Sequence, residues 1–223
     1  MHIRNSNVVP NIQLASPSRT SIAAAEQALQ RIKSRPNGNA LLDEIANHST
    51  NGKQLKIFVA PHGGKMANVT RAVDDINNPG YDNAQAVKNA SKGLFGKGKG
   101  ASAEIDFNPN TSLALDHDGN PTGIENSSDR AYLSLAHELV HAYRILKGTY
   151  TGAGDQMGFD PNSNKGKEEL RAVGLGKWQG EGLSENGIRA EQGEQLRNSY
   201  PSRPAARSRD EFDPTARYYG GEA

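Results

Sequence analysis

Apolar positions along the chain change period several times, and each change marks an element. From Ser21 to Ser34, the residues Ile22, Ala25, Leu29 and Ile32 recur at the spacing of an amphipathic helix. Pro36 and Gly38 read as its end, and a second short helix is expected from Ala40 to Asn47. Lys53 to Ala60 reads as a strand closed by Pro61 and Gly63-Gly64. Residues 69–76 fit no single period, and Asn83 to Ser91 suits a short helix. Ala103 to Phe107 and Thr111 to Leu115 alternate, which predicts a hairpin across Asn108-Pro109-Asn110. The strongest period runs from Asp129 to Gly148. There Tyr132, Leu135, Ala136, Leu139, Tyr143 and Leu146 share a face that Leu133, Val140 and Ile145 widen, so the helix is expected to be largely buried. Ser127 or Ser128 can cap its start, and Lys147-Gly148 suits its end. Two further helices are predicted, a short one starting at Glu168-Glu169 and a longer one from about Ser184 to Ser199.

Outside these elements the chain is polar. Residues 1–20 are rich in serine, asparagine and proline and are expected to be disordered. Residues 201–223 are rich in proline, arginine and glycine and are expected to form an irregular tail, leaving a single domain over residues 21–200. The formal net charge of +1 argues against nucleic acid or a membrane as the main partner. The absence of cysteine excludes disulfides, cysteine-ligated zinc and a cysteine nucleophile. No apolar run approaches transmembrane length, and a monomer is expected.

The buried helix carries the chemistry. His137-Glu138-Leu139-Val140-His141 places two imidazoles four residues apart, on one helical face, where both can bind one zinc ion. Glu138 leans toward the same place and can polarise a water. A catalytic zinc usually takes a third protein ligand. The other histidines are His2, His48, His62 and His117, none of them shortly downstream. The third ligand is therefore sought in a later carboxylate, with Glu168 and Glu169 as candidates. Two other patterns are set aside. Residues 93–100 resemble a phosphate-binding loop but carry Gly100 where a hydroxyl is required, and so read as a flexible basic loop. Asp116-His117-Asp118-Gly119-Asn120 resembles the start of a calcium loop that is not continued, and reads as a turn.

His137-Glu-Leu-Val-His-Ala142, with Gly148 after it and Glu168-Glu-Leu-Arg171 downstream, resembles the zinc site of clostridial neurotoxin light chains. It is more closely similar to the short NleD-like metallopeptidases injected by type III secretion, a resemblance that takes in Ser184 to Glu191. The resemblance implies an α+β zincin-like domain, with a small twisted sheet packed on the active-site helix and a mostly helical second half. It makes Glu169 the third zinc ligand, beside His137 and His141, and Glu138 the general base. It also implies that Arg197 and Tyr200, in Arg197-Asn-Ser-Tyr200, stabilise the tetrahedral intermediate. The implied activity is a zinc endopeptidase, secreted into the host cell cytoplasm, that cuts host mitogen-activated protein kinases in their activation loops. Residues 1–20 would then hold the secretion signal. The competing expectation is a non-catalytic effector that uses zinc only to hold its fold and binds a host protein.

Overall fold

A computed structural model describes residues 1–77, 84–93, 96–152 and 160–200. Its order is β1 (His2–Asn5), β2 (Ile12–Ser16), α1 (Arg19–Lys33), α2 (Pro36–His48), β3 (Leu55–Val59), β4 (Val69–Val73), α3 (Ala84–Ala90), β5 (Ser102–Phe107), β6 (Ser112–Leu115), β7 (Pro121–Glu125), α4 (Ala131–Lys147), α5 (Asn164–Val173) and α6 (Glu185–Glu191). The result is an α+β domain: a small sheet packed on the helix that carries the histidine pair, followed by a helical second half. Among the described residues no helix is long and apolar enough to cross a membrane.

The main sheet has the order β1-β2-β3-β5-β4. β2, β3 and β5 run parallel, and the two outer strands are antiparallel to their neighbours. Ile12, Leu14, Leu55, Ile57, Ala103, Ile105 and Phe107 point to one face, where α1 packs over β2 and β3 and α4 over β5 and β4, with α2 behind the two helices.

Residues 1–20 are not the disordered segment that their composition suggests. β1 and β2 lie in the sheet, because Ile12 and Leu14 alternate across Gln13 and bury fully against α1. The expected hairpin between residues 103–107 and 111–115 is also absent. Both edges of β5 are already occupied, by β3 and β4, so β6 pairs instead with β7. Asn108 holds the departing chain by donating from its side chain to the carbonyls of Gly64 and Met66. The turn of the observed hairpin is Asp116–Asn120, where Asp116 Oδ1 accepts from the backbone of Asp118 and Asn120. Pro36, read as a helix stop, is the first residue of α2. Glu191 of α6 caps that start, accepting from the backbone N–H groups of Asn37 and Gly38.

The other face of the sheet carries polar side chains that are buried at its centre, at Lys56, Glu104 and Asp106. Register aligns Asn5, Gln13, Lys56, Glu104 and Arg71 in one row across all five strands. Asp106 stands beside that row and accepts from Arg71 at 2.9 Å. Burial pushes Glu104 up to about 7 against the pull of Arg71 and Lys56, and pushes Asp106 up to about 6. A carboxyl whose pKa is raised by folding binds its proton more tightly in the folded state. Its stabilising contribution is full below the unfolded value and is lost as pH rises through 6 to 7. Replacing Glu104 by Gln should therefore stabilise the protein relative to wild type at pH 8, by at most about 3 kcal/mol, and leave it little changed at pH 4. Denaturant melts across that range check it, and parallel pH profiles would count against it.

Candidate metal centre and active site

Fourteen of the seventeen positions of α4 that run between Ala131 and Lys147 are buried, because the helix lies between the sheet and the other helices. Its start has no side-chain cap, contrary to the reading of Ser127 or Ser128, and Gly148 ends it in the left-handed region at φ 79°. In its middle His137, Glu138 and His141 retain 9%, 8% and 5% exposure, enough for a narrow opening to solvent.

α5 supplies the carboxylates. It starts at Asn164, capped by Ser163, so Glu168 and Glu169 lie in its interior rather than at an exposed end. They face different partners. Glu169 Oε2 is 3.1 Å from Nε2 of His137 and 3.1 Å from Nε2 of His141, and the two Nε2 atoms are 3.2 Å apart. Zinc held tetrahedrally at about 2.0–2.1 Å sets its donor atoms about 3.3 Å apart. Two ring nitrogens and one carboxylate oxygen at that spacing fit the ion, and this is the one such group among the described residues. Glu168 is fully buried and accepts from Arg144 with both oxygens, and from the backbone and hydroxyl of Thr151. It lies 3.6 Å from Nδ1 of His141, beyond hydrogen-bond length, so it anchors the ligand helix electrostatically. Despite its burial, His141 and Arg144 hold its carboxyl down at about 2. Glu169 is held well below the carboxylate range, its burial outweighed by the two histidines.

A second layer fixes His137. Its Nδ1 contacts Oε2 of Glu185, the first residue of α6, at 3.0 Å. The same oxygen accepts from Arg197 at 2.7 Å, and the other oxygen accepts from Arg189 at 2.8 Å. Such partners select the tautomer of a ligand histidine and orient its ring. α6 is far shorter than expected: it stops at Glu191, and Gly193, at φ 71°, turns the chain back. The returning segment is clamped by Asn186, which accepts from the backbone N–H of Arg197 and donates to its carbonyl, each at 2.8 Å. The hairpin turn grips it from the other side through Gln195, Asn198 and Ser199.

This clamp brings Tyr200 to the site. Its ring lies nearly parallel to that of His137, with centroids 6.3 Å apart, and its hydroxyl bonds to Glu169. Burial, with the charges of Glu169 and Glu138, pushes its phenol far up. Arg197 reaches the site differently, through Glu185, with its guanidinium buried 5.3 Å from the Tyr200 ring.

Several site residues escaped the sequence reading. Thr70, on the edge strand β4, donates from its hydroxyl toward Glu138 Oε2 at 2.7 Å. Tyr150 sets its ring edge-on to His141, 6.1 Å between centroids. Neither position carries a local pattern. Glu185 and Arg189 do, as an acid–base pair four residues apart on a helix.

Comparison with solved structures finds the botulinum neurotoxin type G light chain at 17% identity, covering 62% of this chain and 44% of that one, with a TM-score of 0.37. The light chain of botulinum neurotoxin serotype HA is similar at 21% identity, covering 58% and 35%, with a TM-score of 0.38. The aligned part thus spans less than half of either toxin chain. No curated protein sequence matches. The Peptidase M91 family model, described as effector protein, matches residues 22–200. That span holds the histidine pair, Glu169, Glu185 and Tyr200 alike, and the chain belongs to the Peptidase M91 family of effector proteins.

Proposed function

We propose that the protein is a zinc-dependent endopeptidase, delivered by a type III system into a host cell, where it cuts a host signalling protein. One observation carries the reading: His137 Nε2, His141 Nε2 and Glu169 Oε2 converge at zinc-donor spacing next to Glu138. Zinc bound there would polarise the scissile carbonyl and lower the pKa of water to about 7. Thr70 occupies Oε2 of Glu138 and leaves Oε1 to take the proton of the attacking water. Glu138 then returns that proton to the leaving amine. Tyr200, its phenol kept protonated by its surroundings, turns its hydroxyl to the carbonyl oxygen as negative charge develops. Among the described residues the outer edge of β4 bears no strand, and an extended substrate can align along it.

The resemblance to NleD-like effectors supports mitogen-activated protein kinases, cut in the activation loop, as substrates, and residues 1–20 as the secretion signal. The test is incubation of the zinc-loaded protein and its Glu138→Gln variant with host-cell lysate, reading new peptide termini by mass spectrometry. Termini made only by the wild type name the substrate and the bond. Identical termini from both proteins would overturn the peptidase reading.

In this reading Arg197 is a positioning residue that acts through Glu185 and His137. Its replacement by Ala should weaken zinc binding about 10-fold, within the range usual for an outer partner of a ligand. A competitive chelator titration reads this directly. If Arg197 served the oxyanion alone, turnover would fall while zinc affinity stayed at the wild-type value.

A further inference from the structure

The Gly-Lys alternation of residues 96–100 is built into the fold rather than left as a flexible loop. Gly98 donates its backbone N–H to the carbonyl of Gly148 at 2.7 Å, and Gly100 donates to that of Asn89 at 2.9 Å. A Cβ at Gly98 would lie 2.2 Å from the Asn89 carbonyl oxygen. One at Gly100, where φ is +80°, would lie 2.0 Å from that of Leu146. Gly98 is thus pressed against the end of α3 and Gly100 against the C-terminal end of α4, and Lys97 and Lys99 beside them stand exposed, as does Lys92.

The negative end of a helix attracts cations, which is the plainest reason for lysines here. It amounts to about half an elementary charge, and it is already met. Lys53 donates to the carbonyl of Leu146, and Lys147 lies in the last turn, shared with Tyr143 and Glu44. Lys53 is held below the usual lysine value by its burial and by the charge of Lys97. Among the described residues Lys92, Lys97 and Lys99 make no ion pair, so three cations remain beyond what the helix end requires. This surface also borders the metal centre. The backbone of Lys92 bonds to Tyr150, whose ring faces His141, and Lys147 is six residues, or about 9 Å, along the helix from His141.

We infer that the surface formed by Lys92, Lys97 and Lys99 at the C-terminal end of α4 is an exosite that binds an acidic segment of the protein substrate. The inference rests on the endopeptidase reading. An acidic polypeptide fits better than a bilayer, because three lysines are fewer than the cluster of about four to eight cations that anionic membranes recruit. It fits better than nucleic acid because the charge is local, on a chain of net +1.

The test uses the full-length, zinc-loaded protein and a fluorescent oligoglutamate peptide. Binding should weaken as salt rises. It should weaken about ten-fold or more when Lys92, Lys97 and Lys99 are all replaced by Glu. The Lys→Gln triple variant should give an intermediate loss, and it serves if charge reversal disturbs folding. Equal affinity in wild type and variants overturns the exosite, as does binding to phosphatidylserine vesicles without binding to the peptide. With a cleaved protein in hand, the variants should raise KM for the whole substrate and leave cleavage of a short peptide spanning the bond unchanged. An equal loss on both substrates overturns the proposal. Failure of the wild type to cut anything counts against the peptidase reading instead, and peptide binding then decides the surface by itself.

Discussion

Glu138→Gln is expected to bind zinc as the wild type does and to cleave substrate about 10²–10⁴ times more slowly, the share of a positioned general base. The amide is nearly isosteric with the carboxylate, and its oxygen can still accept from Thr70, which now donates at 2.7 Å. What the variant lacks is basicity at the position that takes the proton of water. No ligand contact is disturbed, because the three donor atoms come from His137, His141 and Glu169. Single-turnover rates and metal content of the same preparation check the prediction. Cleavage retained at the wild-type rate would remove Glu138 from the mechanism. Loss of zinc along with activity would show that its carboxylate supports the metal site instead.

The parts of this site that were legible in the sequence are those dictated by helical periodicity. His137 and His141 lie one turn apart on a helix whose apolar face is explicit, so their convergence follows from 3.6 residues per turn. Glu168 and Glu169 could be narrowed to a pair but not separated by pattern, since adjacent helical residues diverge by about 100° and only the packing of α5 on α4 decides which faces the histidines. Tertiary placement lay beyond reach. Thr70 enters the site because β4 is the outer strand of the sheet, and strand order is not written in local sequence. The false hairpin arose for the same reason: alternation identifies a strand without naming its partner. Residues 1–20 misled by composition, since the three buried apolar side chains of β2, Ile12, Leu14 and Ala15, suffice for a strand when neighbouring strands supply the hydrogen bonds.

Glu169 and its neighbour should separate cleanly by mutation, because one carboxylate meets the metal ligands and the other a buried arginine. Glu169→Ala removes one of three donors and should lower zinc affinity beyond the 10–100-fold loss typical of an outer-shell partner. Its fold in the absence of metal should persist, since the two histidines it faces can become neutral once the anion is gone. Glu168→Ala meets no such relief. Arg144 stays charged and is buried, and among the described residues it would keep the Thr149 carbonyl alone as an acceptor. Removing one partner of a buried ion pair costs about 3–5 kcal/mol, so this variant should be strongly destabilised even without zinc. Chelator competition and denaturant melts of the metal-free proteins give both quantities. Zinc affinity unimpaired in Glu169→Ala would overturn the ligand assignment, and equal stability of the two metal-free variants would overturn the division of labour between them.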